Sequence, residues 1–253
     1  GLKSQFGTMG KPYNAGIAAA NAIEVCGLAR RGFTSAADGL GGPQGFLPAH
    51  HPQHESCDQI LPDAVKSSFM FADVRHKLHA CCHGTHAMIE GLRNLVAAHD
   101  VTQHNLVGLT IRVNPRWLKV CDIKAPTTGL EVKFSYVFLA AMVLHDIDTA
   151  AYQSYDNAIC RDAGLIQTAG KITVIGDETI SDGAVHLSAD TESAAHHTTD
   201  FDLMAPIDLA VLGPRLVAKA SVLIGAAKAE KIWESMGDLD SMPAAQIAQH
   251  LQA

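Results

Sequence analysis

The stretch Leu106-Val107-Gly108-Leu109-Thr110-Ile111-Arg112-Val113 decides the fold class of this chain. Its apolar side chains nearly alternate with other residues, a pattern that predicts a strand with one buried face. Two more strands are predicted at residues 171–175 and 184–189, on either side of a polar turn. Helical patterns stand before and after these strands. The sequence therefore predicts a mainly α protein with an α+β insert.

Helical segments surround the predicted strands. Alanine-rich or apolar stretches with helical spacing mark each of them, and a glycine after the first predicts its end. A stretch with three prolines, residues 47–62, predicts a loop. Helices are predicted over residues 15–31 with a stop at Gly32, over 84–98, over 128–145, over 205–234 with a kink or boundary at Pro214, and over 243–251.

Composition limits the classes of function. Of the 253 residues, 47% are hydrophobic and the formal net charge is −7, so the chain can bury a core but offers no basic surface for nucleic acid or an anionic membrane. No apolar run approaches the roughly 20 residues of a membrane helix. The six cysteines form no CxxC pair and no regular framework, which argues against an iron–sulfur cluster, a zinc ribbon and a secreted disulfide scaffold. We therefore expect reduced thiols and a cytoplasmic protein.

Three segments, in this order along the chain, carry a family resemblance. They are Phe6–Gly16 (FGTMGKPYNAG), Lys77–His86 (KLHACCHGTH) and Thr128–Tyr136 (TGLEVKFSY). In combination they are similar to the MmgE/PrpD family, which includes 2-methylcitrate dehydratase, cis-aconitate decarboxylase and iminodisuccinate epimerase. The resemblance extends, with gaps, over nearly the whole chain.

The resemblance implies an all-helical domain plus a smaller α+β lid domain, with the active site between them. It assigns residues 1–72 to the helical domain, 73–203 to the lid and 204–253 to C-terminal helices that return to the helical domain. It also implies a homodimer, and chemistry without a metal or cofactor. Family members are much longer, so we expect a fragment, a split gene product or a piece of a cleaved chain, completed by a complementary N-terminal chain.

The chemistry of this family needs cations for the substrate carboxylates, together with a proton donor and acceptor. Cys82 stands where the decarboxylase branch has an active-site histidine, and Phe138 is closer in register than Tyr136 to that branch's tyrosine. The resemblance implies catalytic roles for Lys11, Lys77, His83 and His86, and substrate-binding roles for Tyr13, Cys82 and Tyr136. We expect Lys11, Lys77 and one of the two histidines to converge on one cleft.

The sequence leaves several functions open. The first is a metal-independent hydro-lyase that acts on a 2-methylcitrate-like polycarboxylic acid. Its alternatives are an epimerase or decarboxylase of a related di- or tricarboxylate, and a non-catalytic subunit of a split enzyme. A metal-binding protein is the remaining class, through His50, His51 and His54 or through the histidines and cysteines of residues 79–86. Neither cluster has a standard ligand spacing, so we expect no metal site.

Overall fold

The computed structural model of the chain describes residues 2–50 and 74–251. It divides into two compact units, one formed by Gly1–Lys11 together with Lys77–Ala253 and the other by Pro12–His76. The fold is mainly α-helical with a four-stranded mixed sheet, which confirms the predicted combination of helices and an α+β part. The lid assignment and the boundaries after residues 72 and 203 stay predictions.

The described part of the unit Pro12–His76 contains two helices joined by turns and irregular segments. Helix α1 spans Gly10–Arg30 and ends before Gly32, whose φ of 87° lies in the left-handed region that glycine adopts easily. The predicted helix and its stop are therefore confirmed. Helix α2, Phe46–His50, contradicts the loop predicted from residue 47 onward. Pro48 lies in the first turn of this helix, where its missing N–H is not needed. The rest of that predicted loop, from residue 51, lies outside the described residues.

The sheet lies in the larger unit and has the strand order β2-β1-β3-β4. Strand β1 is Leu106–Val113, β2 is Ile172–Gly176, β3 is Ala184–Thr191 and β4 is His196–Asp202. Strands β1 and β2 are parallel, and the other pairs are antiparallel. The strands predicted at β1, β2 and β3 are confirmed, whereas β4 was not predicted.

Helices cover one face of this sheet and enclose the core. Helix α3 packs on β3 and β4, and α6 packs on α3 and β2. Side chains of both helices meet those of the strands in a single hydrophobic cluster. The helices of this unit are α3 (His86–His99), α4 (Leu118–Cys121), α5 (Gly129–Val132), α6 (Tyr136–Leu144), α7 (Ala163–Ala169), α8 (Leu209–Ile224), α9 (Ala226–Ser235) and α10 (Ala244–Leu251).

Two predicted helices are each divided in the structure. The single helix predicted over residues 128–145 is wrong, because Ser135 ends one segment and starts the next by accepting a hydrogen bond from the Phe138 N–H at 3.2 Å. The helix predicted over 205–234 begins at Leu209 and breaks at Gly225, whose φ is 87°. Pro214 lies inside α8. Among the described residues, no helix is long and apolar enough to cross a membrane.

Candidate functional site

The segment Lys77–His86 forms a loop that leads through a short 3₁₀ turn into α3. Its backbone is tied to two other parts of the chain. The Ala80 N–H donates to the Thr149 carbonyl at 2.9 Å, and the Cys82 N–H donates to the Lys133 carbonyl at 3.0 Å. We call this segment the 77–86 loop. These bonds bring it beside the turn between α5 and α6, although the two are far apart in sequence.

A buried polar network fixes the start of the loop. The His79 ring, only 3% exposed, lies 2.8 Å from Glu90 Oε1 through Nε2 and 2.7 Å from Thr149 Oγ1 through Nδ1. Arg215 of α8 donates to the same Glu90 oxygen at 2.6 Å. Burial raises the pKa of Glu90, but the hydrogen bonds from His79 and Arg215 outweigh it and lower that pKa to about 2. Glu90 is therefore a carboxylate that joins the loop, α3 and α8.

His86 is held inside the protein by both ring nitrogens. Nε2 accepts the His79 backbone N–H at 3.3 Å, which leaves the proton on Nδ1, 3.0 Å from the Cys82 carbonyl. Burial, helped by the nearby His79 ring, lowers the pKa of His86 to about 3. The ring is thus neutral near pH 7 and positions the loop. A catalytic role for His86 stays a prediction.

Tyr136 and Trp117 hold the middle of the loop. The Tyr136 side chain is fully buried, and its hydroxyl donates to the Gly84 carbonyl at 2.7 Å. Burial raises the pKa of this hydroxyl, so it remains protonated. The Trp117 ring lies against Gly84 so closely that a Cβ there would come within 2.3 Å of it. Glycine is required at this position because the ring occupies the space of a side chain.

Four lysines lie near the two cysteines of the loop. We call Lys11, Lys77, Lys133 and Lys219 the lysine cluster. Lys11 and Lys77 lie within electrostatic range of Cys82, and Lys133 and Lys219 lie within range of Cys81.

The ammonium groups of the cluster contact rings and carbonyls. Lys11 Nζ lies 4.3 Å from the Phe6 ring centroid, and Lys133 Nζ lies 4.8 Å from that of Tyr155. Lys77 donates to the Cys81 carbonyl at 3.3 Å, and Lys219 donates to the Lys77 carbonyl. Among the described residues, no carboxylate pairs with any of these four ammonium groups. The arrangement suits an anion with several charges.

The surroundings of Cys82 favour the ionised form of its thiol. Hydrogen bonds from the Cys121 thiol and the Gly84 N–H, with the charges of Lys11 and Lys77, outweigh burial and lower the pKa of Cys82 to about 6. The same contact with Cys82, together with burial, raises the pKa of Cys121. Burial raises the pKa of Cys81 to about 11. Cys82 is therefore more acidic than its neighbours Cys81 and Cys121.

Residues 79–202 match the family model of the MmgE/PrpD C-terminal domain. These residues form an MmgE/PrpD C-terminal domain. The match includes most of the 77–86 loop and the whole sheet, and it confirms the resemblance for this part of the chain. No curated protein matches the chain.

The structure brings most of the predicted site residues together. Lys11, Lys77 and Cys82 share one region, and the half-buried His83 ring lies 5.2 Å from that of His86. Tyr13 lies in the unit Pro12–His76, with 65% of its surface exposed. The functional roles of all seven residues stay predictions.

Two members of the lysine cluster were not predicted from the sequence. Lys133 lies inside the third segment of the family resemblance, so the motif itself contains the signal for it. Lys219 lies in α8, 142 residues after the loop residue whose carbonyl it contacts, and its local sequence shows no feature of a binding site. Neither Glu90, the partner of His79, nor Arg215, which donates to Glu90, was predicted.

Metal ligands are not grouped in the part of the chain that the structure describes. There, no set of three or more His, Cys, Asp or Glu side chains is placed to hold an ion. His50 lies in α2, whereas His51 and His54 of the first predicted cluster lie outside the described residues. Cys81 contacts Thr85 and Cys82 contacts Cys121. The His86 ring bonds to the backbone of His79 and Cys82, and the His79 ring contacts Glu90 and Thr149. Metal-independent chemistry stays a prediction.

Proposed function

We propose that this chain takes part in a metal-independent hydro-lyase reaction on a 2-methylcitrate-like polycarboxylic acid. Membership of residues 79–202 in the MmgE/PrpD C-terminal domain supports a lyase of this broad kind. The observation that carries the substrate class is the lysine cluster, in which four ammonium groups have no carboxylate partner among the described residues. Such a cluster, in a chain with a net charge of −7, selects a small anion.

The cluster suits the charge of a tricarboxylate better than that of a monoacid. A charge-assisted hydrogen bond to a carboxylate contributes about 1.5–3 kcal/mol, so two or three such contacts separate a tricarboxylate from an acid with one carboxylate. Cations close to the substrate also stabilise the negative charge that develops when a proton leaves the carbon beside a carboxylate. The same lysines therefore bind the ground state and lower the barrier.

Proton transfer in this proposal falls to His83. The half-buried His83 stands at the start of the 3₁₀ turn, and its ring lies 5.2 Å from that of His86, which bonds to two backbone groups of the loop. Histidine is the side chain that most often serves as a general acid or base. An epimerase or a decarboxylase of a related acid is the alternative, because all three reactions share the need for cations and a proton acceptor. The cysteine at position 82, where the decarboxylase branch has histidine, favours the hydro-lyase.

The first experiment measures binding of citrate by calorimetry to the chain and to Lys11→Ala, Lys77→Ala and Lys133→Ala. Each change removes one charge-assisted contact, so affinity should fall about ten- to a hundredfold. Lys231→Ala is the matched control, because this exposed lysine of α9 lies outside the cluster and should leave affinity unchanged. Unchanged affinity in all three cluster variants would contradict the proposed site.

The second experiment identifies the reaction. Incubation with 2-methylcitrate, followed by proton NMR, distinguishes an unsaturated acid from the loss of CO2 and from an inverted stereocentre. We expect the unsaturated acid, with the same yield in a chelator. We propose a homodimer, completed by a complementary N-terminal helical chain, as the active assembly, and the mass of the complex in solution tests that. Activity that disappears with chelator and returns with zinc or iron would overturn the metal-independent mechanism.

A further inference from the structure

A cavity of about 250 Å³ lies between α3, α8, the start of the 77–86 loop and the segment that follows α6. Four residues of α8 line it at a spacing of three and four, which places them on one side of the helix: Arg215, Ala218, Lys219 and Val222. Arg93 of α3 lines it as well. We call this space the α8 cavity. Most ligand sites enclose roughly 300–1,000 Å³, so this cavity suits a small molecule.

The charged side chains of the α8 cavity leave positive charge in excess. Arg93, Arg215 and Lys219 line it, and of the described residues around it only Asp148 brings a carboxylate. The buried Glu90 pairs with Arg215 from behind the lining and balances one of the three cations. One positive charge therefore remains when both carboxylates are counted. In the described ranges, neither Arg93 nor Lys219 has a carboxylate partner.

Two of these cations are positioned by other groups of the protein. Arg215 donates to Glu90 at 2.6 Å through one of the five N–H donors of its guanidinium, and 37% of its side-chain surface stays exposed. The half-buried Lys219 donates to the Lys77 carbonyl. Side chains that are held in place before a ligand arrives lose little freedom when it binds. The α8 cavity therefore presents fixed cations to an incoming anion.

Apolar groups form the rest of the lining. Leu78, Ala218 and Val222 line the α8 cavity, and Val222 keeps 43% of its surface exposed. Ala218 has the smallest side chain of the three and leaves space between its neighbours on α8. A simple inorganic anion would satisfy the cations but leave these apolar surfaces in water. An aliphatic chain that carries a carboxylate matches both parts of the lining, because its methylene groups are removed from water there.

We propose that the α8 cavity binds a short-chain aliphatic carboxylate. Its carboxylate group lies among Arg93, Arg215 and Lys219, where the planar guanidinium groups match a pair of carboxylate oxygens. Its chain lies against Leu78 and Val222. Lys219 is the one member of the lysine cluster that lines this cavity, so the site is separate from the proposed polycarboxylate site and does not rest on the proposed function.

Three small probes test the charged and apolar parts of the site, with ligand-observed NMR titrations of the whole chain as the measurement. Butyrate has the charge and the chain, butyramide has the chain without the charge, and acetate has the charge without the chain. Butyramide should show no binding at concentrations where butyrate binds. Butyrate should bind about tenfold more tightly than acetate, because two more methylene groups are removed from water.

Two variants remove one feature of the site each. Arg93→Gln should weaken butyrate binding about tenfold, and Arg161→Gln, at another exposed arginine outside the cavity, is its matched control. Ala218→Leu fills the space without changing any charge and should abolish binding. Ala227→Leu, at an exposed alanine of α9, is the control for that change. Both controls should bind butyrate as the unmodified chain does.

A third variant should strengthen binding. The negative charge of Asp148 opposes an anion in the cavity, so Asp148→Asn should bind butyrate about two- to fivefold more tightly. Asparagine keeps an oxygen for the Ala150 N–H, which lies 2.8 Å from Asp148 Oδ1. Asp146→Asn is the matched control, because it lies outside the cavity and asparagine tolerates its φ of 55°. A gain in affinity cannot come from a damaged fold.

Lys11→Ala separates the α8 cavity from the lysine cluster. Lys11 belongs to the cluster and does not line the cavity, so butyrate affinity should stay unchanged in this variant. Butyrate binding that Lys11→Ala weakens and Arg93→Gln leaves unchanged would overturn the inference, because the acid would then lie in the cluster. No butyrate binding to the unmodified chain, equal binding of butyramide, or full affinity in Ala218→Leu would overturn it as well.

Discussion

Replacing Glu90 with glutamine changes a side chain that two separate parts of the structure contact. Glu90 Oε1 lies 2.6 Å from Arg215 of α8 and 2.8 Å from His79 of the 77–86 loop. Glutamine keeps an oxygen of similar shape but loses the negative charge. The contact with Arg215 then keeps only one charged partner, and the contact with His79 loses the charge of the carboxylate, so each is weaker by about 1 kcal/mol. We expect the free energy of unfolding to fall by about 2 kcal/mol.

Alanine at position 90 should cost more than glutamine. It leaves the buried His79 ring without its acceptor and the Arg215 guanidinium, whose side chain is 37% exposed, without its carboxylate, so we expect a loss of about 3 kcal/mol. Arg112→Gln is the matched control. Its side chain, 45% exposed, pairs with Asp177 at 2.7 Å, and an exposed pair of this kind contributes about 0–1 kcal/mol.

Urea denaturation followed by circular dichroism measures all three variants against the unmodified chain. The order expected for the loss of stability is Glu90→Ala first, then Glu90→Gln, then Arg112→Gln. Equal losses for Glu90→Gln and Arg112→Gln would refute the argument, because the buried network would then contribute no more than a surface pair. The m-value shows whether each variant still unfolds in the same transition.

Three further predictions follow from the same contacts. The folded-state pKa of Glu90, about 2, lies below its unfolded value. The stability that Glu90 contributes is therefore present above about pH 4.5 and is lost as the pH falls toward 2. In an acid titration, the free energy of unfolding of Glu90→Gln should fall less steeply than that of the unmodified chain. Gly84→Ala should destabilise the fold by about 1–3 kcal/mol, because the added Cβ meets the Trp117 ring. In Gly108→Ala the nearest atom to the added Cβ is 3.9 Å away, so thermal melts should show no comparable loss. Tyr136→Phe should lower the free energy of unfolding by about 1–3 kcal/mol, because the Gly84 carbonyl loses its donor, and citrate affinity should not change. A loss of citrate affinity at unchanged stability would favour the predicted substrate-binding role instead.

The sequence of strand β1 shows a clear hydrophobic pattern, and that of strand β4 does not. Strand β1 was predicted at its observed bounds because its apolar residues recur at period two and face the helices. Strand β4, HHTTDFD, has the same geometry but one large apolar side chain, Phe201. Its outward positions carry His196 and Asp200, which pair across the strands with Asp190 and His186. A strand at the sheet edge with little buried surface has no hydrophobic period to detect.

The candidate site was predictable only where a motif contains it. Lys11, Lys77 and Cys82 stand in segments that resemble the family, and the structure brings them together. Lys219 reaches the 77–86 loop through the tertiary packing of α8, which no local pattern encodes. The catalytic role predicted for His86 came from the family resemblance. The partners that occupy both of its nitrogens became visible only with the positions of His79 and Cys82.

The lysine cluster itself leads to a last prediction. Burial lowers the pKa of Lys133 and, with the charge of Lys77, that of Lys219, so holding these ammonium groups charged and close together costs free energy. An anion bound among them offsets this cost and binds the folded chain alone. At a hundred times its dissociation constant such a ligand stabilises the fold by about 2.7 kcal/mol. Citrate should therefore raise the melting temperature well above the effect of sodium chloride at equal ionic strength, and Lys77→Ala should reduce the shift. Equal shifts from citrate and chloride would show that the cations act only through general screening, because a specific site must distinguish a bound tricarboxylate from a diffuse counterion.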